Sequence, residues 1–451
     1  MTSRARIITF AAALLAAGSA GAQSAKATIG ANVLLNTAVT PAILADLENH
    51  GRVRDVIEAL RGVTLQTTAA ELPAIAALPY VAEVSPDAER DGAPVDTVQA
   101  TDFADGLSTW DQDAIDVTDL GAGRVLPYDG SGTYVAVLDT GLLDSWRQYF
   151  PQERIAAQYA ISFGGGGGEV GTVSSQPNKW EHDQNSHGTH VTSTILGYKM
   201  PTRTINGTAP LATVIPVKVL NQNGSGWSSV VARGIVYVAD LKAGPLAGSP
   251  VVINMSLGGS RLDPLEKAAI DYAIEKGVLI VASAGNSGTR GMGYPGAYAP
   301  VISVAASGWV GEWTSSTWWR TGDVADPTNP DHFYIAGFSS RQKAGQDLDV
   351  AAPGSWVVGP YQVNSGQTSY FFLGGTSMAS PHVAGIVALM AQKNPALTQA
   401  DAEATLVSTA IPLPAGCRAV RGPSGAISNV CWDTDATGAG LASAAQALAA
   451  P

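Results

Sequence analysis

Two textures of hydrophobic spacing divide the chain. From residue 27 to about 91 the apolar positions come in short pieces. Ala31 to Val39 reads as a strand, and Pro41 to Asn49 carries helical spacing at Ile43, Leu44 and Leu47. Val63 to Thr67 alternates like a strand, Glu71 to Ala77 suits a second short helix, and Tyr80 to Val84 closes as a strand. The predicted order, strand-helix-strand-strand-helix-strand, makes one small α+β unit. A polar, acidic stretch from Asp91 to about Gln112 has little periodicity and reads as an exposed linker. Beyond it, short continuous apolar runs alternate with helical patterns. The runs are Tyr134 to Leu138, Val214 to Leu220, Val251 to Met255, Val278 to Ala282 and Val301 to Ala305; helices are expected over Ser228 to Leu241 and Pro264 to Lys276. Strands with no polar face are covered on both sides, so the expected class is α/β, a predominantly parallel sheet flanked by helices.

Two stretches interrupt this order. The glycine run Gly164 to Gly168 is expected to form a flexible surface loop, and a Trp-rich insertion from Trp309 to about Phe333 to be a long loop packed by its own aromatics. Residues 1 to 22 stand apart as well. Arg4 and Arg6 precede the apolar run Ile7 to Ala17, and small residues through Ala22 follow, the form of a signal peptide too short to span a membrane comfortably. A secreted protein is the reading. That compartment permits a disulfide between the only two cysteines, Cys417 and Cys431. A net charge of −12, with no concentration of Lys and Arg, excludes a nucleic-acid partner.

Candidate chemistry lies at the ends of the apolar runs. The run Tyr134 to Leu138 stops at Asp139-Thr140-Gly141, and an acid at the carboxyl end of a buried strand stands where α/β folds place their sites. His187, in Asn185-Ser186-His187-Gly188-Thr189-His190, precedes an apolar helical run. Its neighbours His182, Asp183 and His190 could resemble metal ligands, but the spacing is not H-E-x-x-H and no second cluster supports it. Ser377 stands in Gly374-Gly375-Thr376-Ser377-Met378-Ala379-Ser380-Pro381-His382, ahead of another apolar helix, with Pro381 expected close to the helix start. Taken alone Ser377 is a helix cap; with His187 and Asp139 it supplies a hydroxyl nucleophile, an imidazole base and an orienting carboxylate.

Three motifs, Val135-Ala-Val-Leu-Asp139-Thr-Gly141, His187-Gly-Thr-His-Val191 and Gly375-Thr-Ser-Met-Ala-Ser-Pro-His-Val-Ala-Gly385, resemble those of subtilisin-like (subtilase) serine endopeptidases. The resemblance implies that Asp139 orients, His187 is the base and Ser377 the nucleophile. Asn286, in Ala282-Ser-Ala-Gly-Asn286, would donate to the oxyanion. It further implies a peptide-binding edge at Ser225 and Gly226, and pocket walls at Ser256, Leu257, Gly258, Ala284 and Gly285 with Gly293 at the floor. With no acid among them, the pocket would favour large apolar residues before the scissile bond.

By the same resemblance residues 1–22 are a signal peptide, 23–95 an inhibitor-like propeptide and 96–451 the catalytic domain. Substrates would be proteins and peptides, with no membrane partner and a monomeric state expected. No cofactor is needed for the chemistry. A structural calcium ion is left without an assigned site, because the Asn-rich loop many members carry is not recognisable between Gly197 and Ala209. A lipase would use the same three residue types, but the chain lacks G-x-S-x-G and has another residue order. A catalytically dead binding protein would have little need for all four of Asp139, His187, Asn286 and Ser377.

Overall fold

The computed structural model describes residues 27–99, 108–164, 171, 173–200, 204–362 and 369–451. The signal-peptide reading and most of the Gly164 to Gly168 run lie outside the described residues. The first body is the small α+β unit. Its strands Thr28–Leu35, Arg52–Ile57, Gly62–Thr68 and Val81–Pro86 form an antiparallel sheet in the spatial order second, third, first, fourth, with helices Pro41–Leu47 and Leu72–Ala76. Val33, Leu47, Val63, Leu65 and Ile75 are its fully buried core.

The second body is built on an eight-stranded sheet, parallel apart from one antiparallel strand. Strand Tyr134–Asp139 lies between Thr213–Lys218 on one side and Val251–Met255 on the other, followed by Val278–Ser283 and Ile302–Trp309. Alternate residues of each strand face opposite ways. Val135, Val137, Val252, Leu279 and Val281 therefore pack with helices His187–Leu196 and Thr376–Lys393. Ala136, Leu138, Ile253, Ile280 and Ala282 pack with helices Ser228–Ala243 and Pro264–Glu275. Both faces are buried, which is why these runs are mostly apolar; the polar Asn254 within Val251–Met255 is buried with its amide bonded to Ser256 and Ser380. After Tyr134–Asp139 the chain builds one side of the sheet and then crosses to the other, so Asp139 ends the strand at the point of reversal, where such sheets form a crevice.

The small unit sits on helices Ser228–Ala243 and Pro264–Glu275 through a buried polar contact. Asp87 accepts from Ser228 Oγ (2.8 Å), Ser229 N (3.0 Å) and Ser229 Oγ (2.5 Å), capping a helix that has no side-chain cap of its own. Asn32 Nδ2 donates to Asp87, Ser228 and Asp263, and Arg233 pairs with Asp55.

The stretch from Asp91 is exposed at Asp91, Ala93, Val95 and Thr97, as expected of a linker, but it is not without structure. Glu89–Asp91 pairs with Ser225–Trp227, Asp96–Gln99 pairs with Tyr370–Gly374, and the helix Trp110–Asp113 is buried throughout. The sequence there looks aperiodic because its hydrogen-bond partners are more than a hundred residues away. The Trp-rich insertion is likewise more than a loop: it ends in strand Phe333–Ile335, antiparallel to Ile302–Trp309. Trp318 packs on Trp110 and stacks on Phe372, with ring centroids 6.0 and 5.7 Å apart, and so supports the strand leading to Ser377. Cys417 and Cys431 face each other across a hairpin at bonding distance, S–S 2.05 Å.

Candidate active site

Asp139 ends its strand with the carboxylate buried. Oδ1 accepts the Thr140 N–H at 2.6 Å, and the two oxygens lie 2.9 and 3.0 Å from His187 Nδ1. His187 opens the helix His187–Leu196. The helix can approach because Gly188 follows: a Cβ there would lie 2.4 Å from Gly141 O and 3.2 Å from Asp139 Cβ. The turn into it is held by Asp183, whose Oδ1 accepts from Asn185 N and Ser186 N, with Ser186 itself at φ 77°. Burial works against a charged imidazole, but the charge of Asp139 and its hydrogen bond outweigh it, and the His187 pKa is raised. A proton on Nδ1 directed at Asp139 leaves Nε2 as the basic nitrogen, and Nε2 has no hydrogen-bond partner among the described residues. His190 differs. Burial, then the charge of His187, push its pKa down to about 3, and its Nε2 lies 3.1 Å from Val357 O, so it is a neutral packing residue.

Ser377 is the second residue of the helix Thr376–Lys393, as the small-residue turn before it suggests. Pro381, expected at the helix start, lies inside the helix instead. Its missing N–H would have bonded the Ser377 carbonyl, four residues earlier. The vacated carbonyl accepts the Ser256 hydroxyl at 2.8 Å, and the Ser256 carbonyl in turn receives Ser377 Oγ at 3.2 Å. The proline thus frees a backbone acceptor that fastens the Ser377 turn to the loop after strand Val251–Met255. Asn286 follows strand Val278–Ser283. Its Oδ1 accepts both the N–H and the hydroxyl of Thr376 at 2.9 Å, which fixes the amide and leaves Nδ2 as a free-standing donor, 3.6 Å from the Cβ position of Gly375.

The expected binding residues surround a segment of the chain itself. Asp91 pairs with Ser225 and Arg90 with Gly226 in antiparallel register. Asp91 also exchanges two hydrogen bonds with Gly258, N to O at 3.0 Å and O to N at 2.9 Å, and Gly92 N donates to Gly224 O at 3.0 Å. An extended strand therefore lies between the two edges. Gly92 sits against the catalytic groups: a Cβ there would meet Leu220 Cδ1 at 2.8 Å, Ser256 O at 2.9 Å and His187 Cε1 at 3.4 Å. Val95 N then donates to Gly374 O at 2.7 Å, three residues before Ser377, so Ala93 and Pro94 pass close to Ser377. Leu257 accepts from Ser283 Oγ at 3.3 Å, Ala284 O from Gly293 N at 2.9 Å, and Gly285 N donates to Thr376 Oγ1 at 3.1 Å. These contacts bring Ser256–Gly258, Ala284–Gly285 and Gly293 together as neighbouring walls.

Thr376, the Ser256 hydroxyl, Gly92 and a buried pair, Arg90 and Glu266, are site features that the sequence did not single out. A threonine beside a serine looks like turn chemistry, and Glu266 in the first turn of its helix looks like an ordinary response to the helix dipole.

The residues between Gly197 and Asn206 do not suit calcium. That stretch contains Lys199 and Arg203 and no carboxylate, whereas hard cations take carboxylate and carbonyl oxygens. Among the described residues one carboxylate group, Asp347, Asp349 and Glu403, clusters within 4.8 Å. Asp349 already accepts Ser303 N and Oγ, and burial pushes its pKa up to about 7.

The subtilase family description matches residues 130–444. A thermostable alkaline protease from Halalkalibacterium halodurans is 35% identical over 60% of this chain and 59% of its own length. Thermitase from Thermoactinomyces vulgaris is 34% identical over 59% of this chain and 77% of its own. This chain thus spans about three fifths of the length of one of these relatives and three quarters of the other. Fervidolysin from Fervidobacterium pennivorans, described as a keratinolytic enzyme related to subtilisin, shares the fold with a TM-score of 0.65 at 24% identity, covering 94% of this chain and 61% of its own. The matched residues hold Asp139, His187, Asn286 and Ser377 alike, and the chain belongs to the subtilase family.

Proposed function

We propose that this protein is a secreted serine endopeptidase made with an N-terminal inhibitory propeptide, residues 23–95, ahead of a catalytic domain at 96–451. The observation that carries the reading is the segment from Glu89 to Val95. It crosses the Asp139–His187 pair and Ser377 as an extended strand, bonded on both edges, as a peptide substrate would be. In the reaction His187 Nε2 takes the Ser377 hydroxyl proton as Oγ attacks the substrate carbonyl. Asp139 holds the tautomer and stabilises the imidazolium. Asn286 Nδ2 and the Ser377 N–H donate to the oxyanion, and His187 returns the proton to the leaving amine. Water then hydrolyses the acyl-enzyme by the same route.

The walls around Gly258, Ala284, Gly285 and Gly293 carry no charged side chain, which supports uncharged, preferentially large apolar residues directly before the scissile bond; the chain's own segment places Ala93 there. Secretion is supported by the charged, apolar and small-residue order of residues 1–22 and by the paired cysteines. Among the described residues no helix is long and apolar enough to cross a membrane. Partners are protein and peptide substrates and the propeptide, with a monomeric state.

The test is casein and peptide hydrolysis by the wild type and Ser377→Ala, with fluorophosphonate labelling of each. Hydrolysis and labelling that both vanish in the variant are expected. Hydrolysis that survives it would remove Ser377 from the chemistry.

A further inference from the structure

Arg90 is an arginine with a fully buried side chain, unusual for a residue that normally keeps its charge in water. Its place follows from the strand it belongs to. Gly92 abuts His187 and Ala93 precedes the bond over Ser377, so Arg90 stands fourth before that bond, its backbone paired with Gly226. Its side chain turns into the catalytic body and meets Glu266, on the first turn of helix Pro264–Glu275. Arg90 Nε donates to Glu266 Oε1 at 3.0 Å, and a terminal nitrogen bonds Oε2, a two-pronged contact that a guanidinium makes and an ammonium cannot copy. The other terminal nitrogen, Nη1, reaches Glu89 O (2.9 Å), and Nη2, which bonds Glu266, also reaches Arg261 O (3.4 Å). Both charged side chains are 0% exposed.

Glu266 belongs to the catalytic body and Arg90 to the segment that must leave. Once Arg90 is gone, Glu266 faces a burial cost without its cation, with Asp263 close by adding repulsion. Arg261, whose carbonyl Arg90 also reaches, has its own guanidinium bonded elsewhere, donating to Pro86 O and Asp87 O. A substrate with arginine at the same position restores the bonds of Arg90's head group to Glu266 and to the Arg261 carbonyl. A neutral residue of the same size leaves the carboxylate unpaired.

Resting on the peptidase reading, we propose that Glu266 is a specificity-determining residue that selects an arginine four positions before the scissile bond, and that Arg90 is the chain's own copy of that recognition element. The pocket directly before the bond is uncharged, so selectivity for charge is displaced three residues upstream. Preferred substrates are then segments with a basic residue followed, three positions later, by the cleaved residue.

The experiment uses active enzyme prepared from the full chain and two fluorogenic peptides identical except at the fourth position, arginine in one and citrulline, its uncharged isostere, in the other. A kcat/KM at least tenfold higher for arginine is expected. Equal rates overturn the proposal while leaving the peptidase reading intact, and would mean that Arg261 has turned in to neutralise Glu266. Failure to cleave either peptide, with Ser377 unlabelled by fluorophosphonate, overturns the peptidase reading and the proposal with it. In Glu266→Gln the arginine preference should fall towards one; a preference that survives assigns it to another group and overturns the role of Glu266. Should that variant not accumulate in folded form, Glu266→Asp retains the charge but withdraws it by one methylene. A reduced preference supports the proposal, and an unchanged one overturns it.

Discussion

Replacing Asn286 by alanine isolates the electrostatic part of the mechanism. The side chain does two things. Its Oδ1 is held at 2.9 Å by both the N–H and the hydroxyl of Thr376, and its Nδ2 is thereby left as a donor with a fixed direction. Fixing the donor beforehand matters because no reorganisation is then needed as the oxyanion charge develops. A lost donor of this kind costs about 2.7–4 kcal/mol of transition-state stabilisation, which at about 1.36 kcal/mol per tenfold is about 10²–10³ in kcat. That magnitude is the one found for subtilisin's own oxyanion asparagine, carried across on the shared arrangement. Because the ground-state carbonyl gains little from the donor, KM should change by less than threefold or so. Thr376→Val removes one of the two bonds that hold the amide and leaves the backbone one. A hydrogen bond worth about 1 kcal/mol predicts a loss of about fivefold. The assay is steady-state hydrolysis of a peptide p-nitroanilide by both variants. A kcat for Asn286→Ala within threefold of wild type, or a loss confined to KM, would refute the assignment.

Two further outcomes follow from buried charge. Asp139 outweighs burial and holds the His187 pKa up, and only the neutral imidazole can accept a proton, so kcat/KM should fall as pH drops through that raised value. Asp139→Asn removes the cause: the rate falls by about 10⁴ and the acid limb of the pH–rate profile moves to lower pH, whereas an unmoved limb would contradict the pairing. Glu312 is a separate case, buried within the Trp-rich insertion and accepting from Trp309 N and Tyr334 Oη, with its pKa pushed by burial from 4.5 up to about 8. Between those values the unfolded chain releases a proton that the native chain keeps, so stability falls as pH rises across that window and levels off above it. Urea unfolding of Glu312→Gln should lose that part of the slope between pH 5 and 8; an unchanged slope would show that Glu312 is ionised in the native state.

Much of the fold could be read from the sequence because the central strands are buried on both faces. Tyr134 to Leu138 is apolar without interruption and stops at Asp139, and Val251 to Met255 is apolar apart from Asn254. Ser377 and His187 were legible because each opens an apolar helix from a small-residue turn. The second strand of the small unit, Arg52–Ile57, could be counted but not located, since Arg54 and Asp55 face the catalytic body and bond there to the Gly171 carbonyl and to Arg233. The strands at the start of the stretch read as linker, Asp91 to about Gln112, are hidden in the sequence for a related reason. Their residues are polar because they lie in a binding cleft, and the strands exist only through partners at Ser225–Trp227 and Tyr370–Gly374. Local pattern reports what a residue buries against its own element. It does not report an ion pair such as Arg90 with Glu266, 176 residues apart.

The most direct test of the account is the intact mass and N-terminal sequence of the secreted protein beside its Ser377→Ala variant. If Ser377 acts on the strand that lies across it, the wild type is cut at the end of the 23–95 segment, close to where Ala93 and Pro94 pass Ser377, while the variant keeps the segment from about Gln23. Identical processing of the two, or a wild type that retains the segment while hydrolysing peptides, would contradict it.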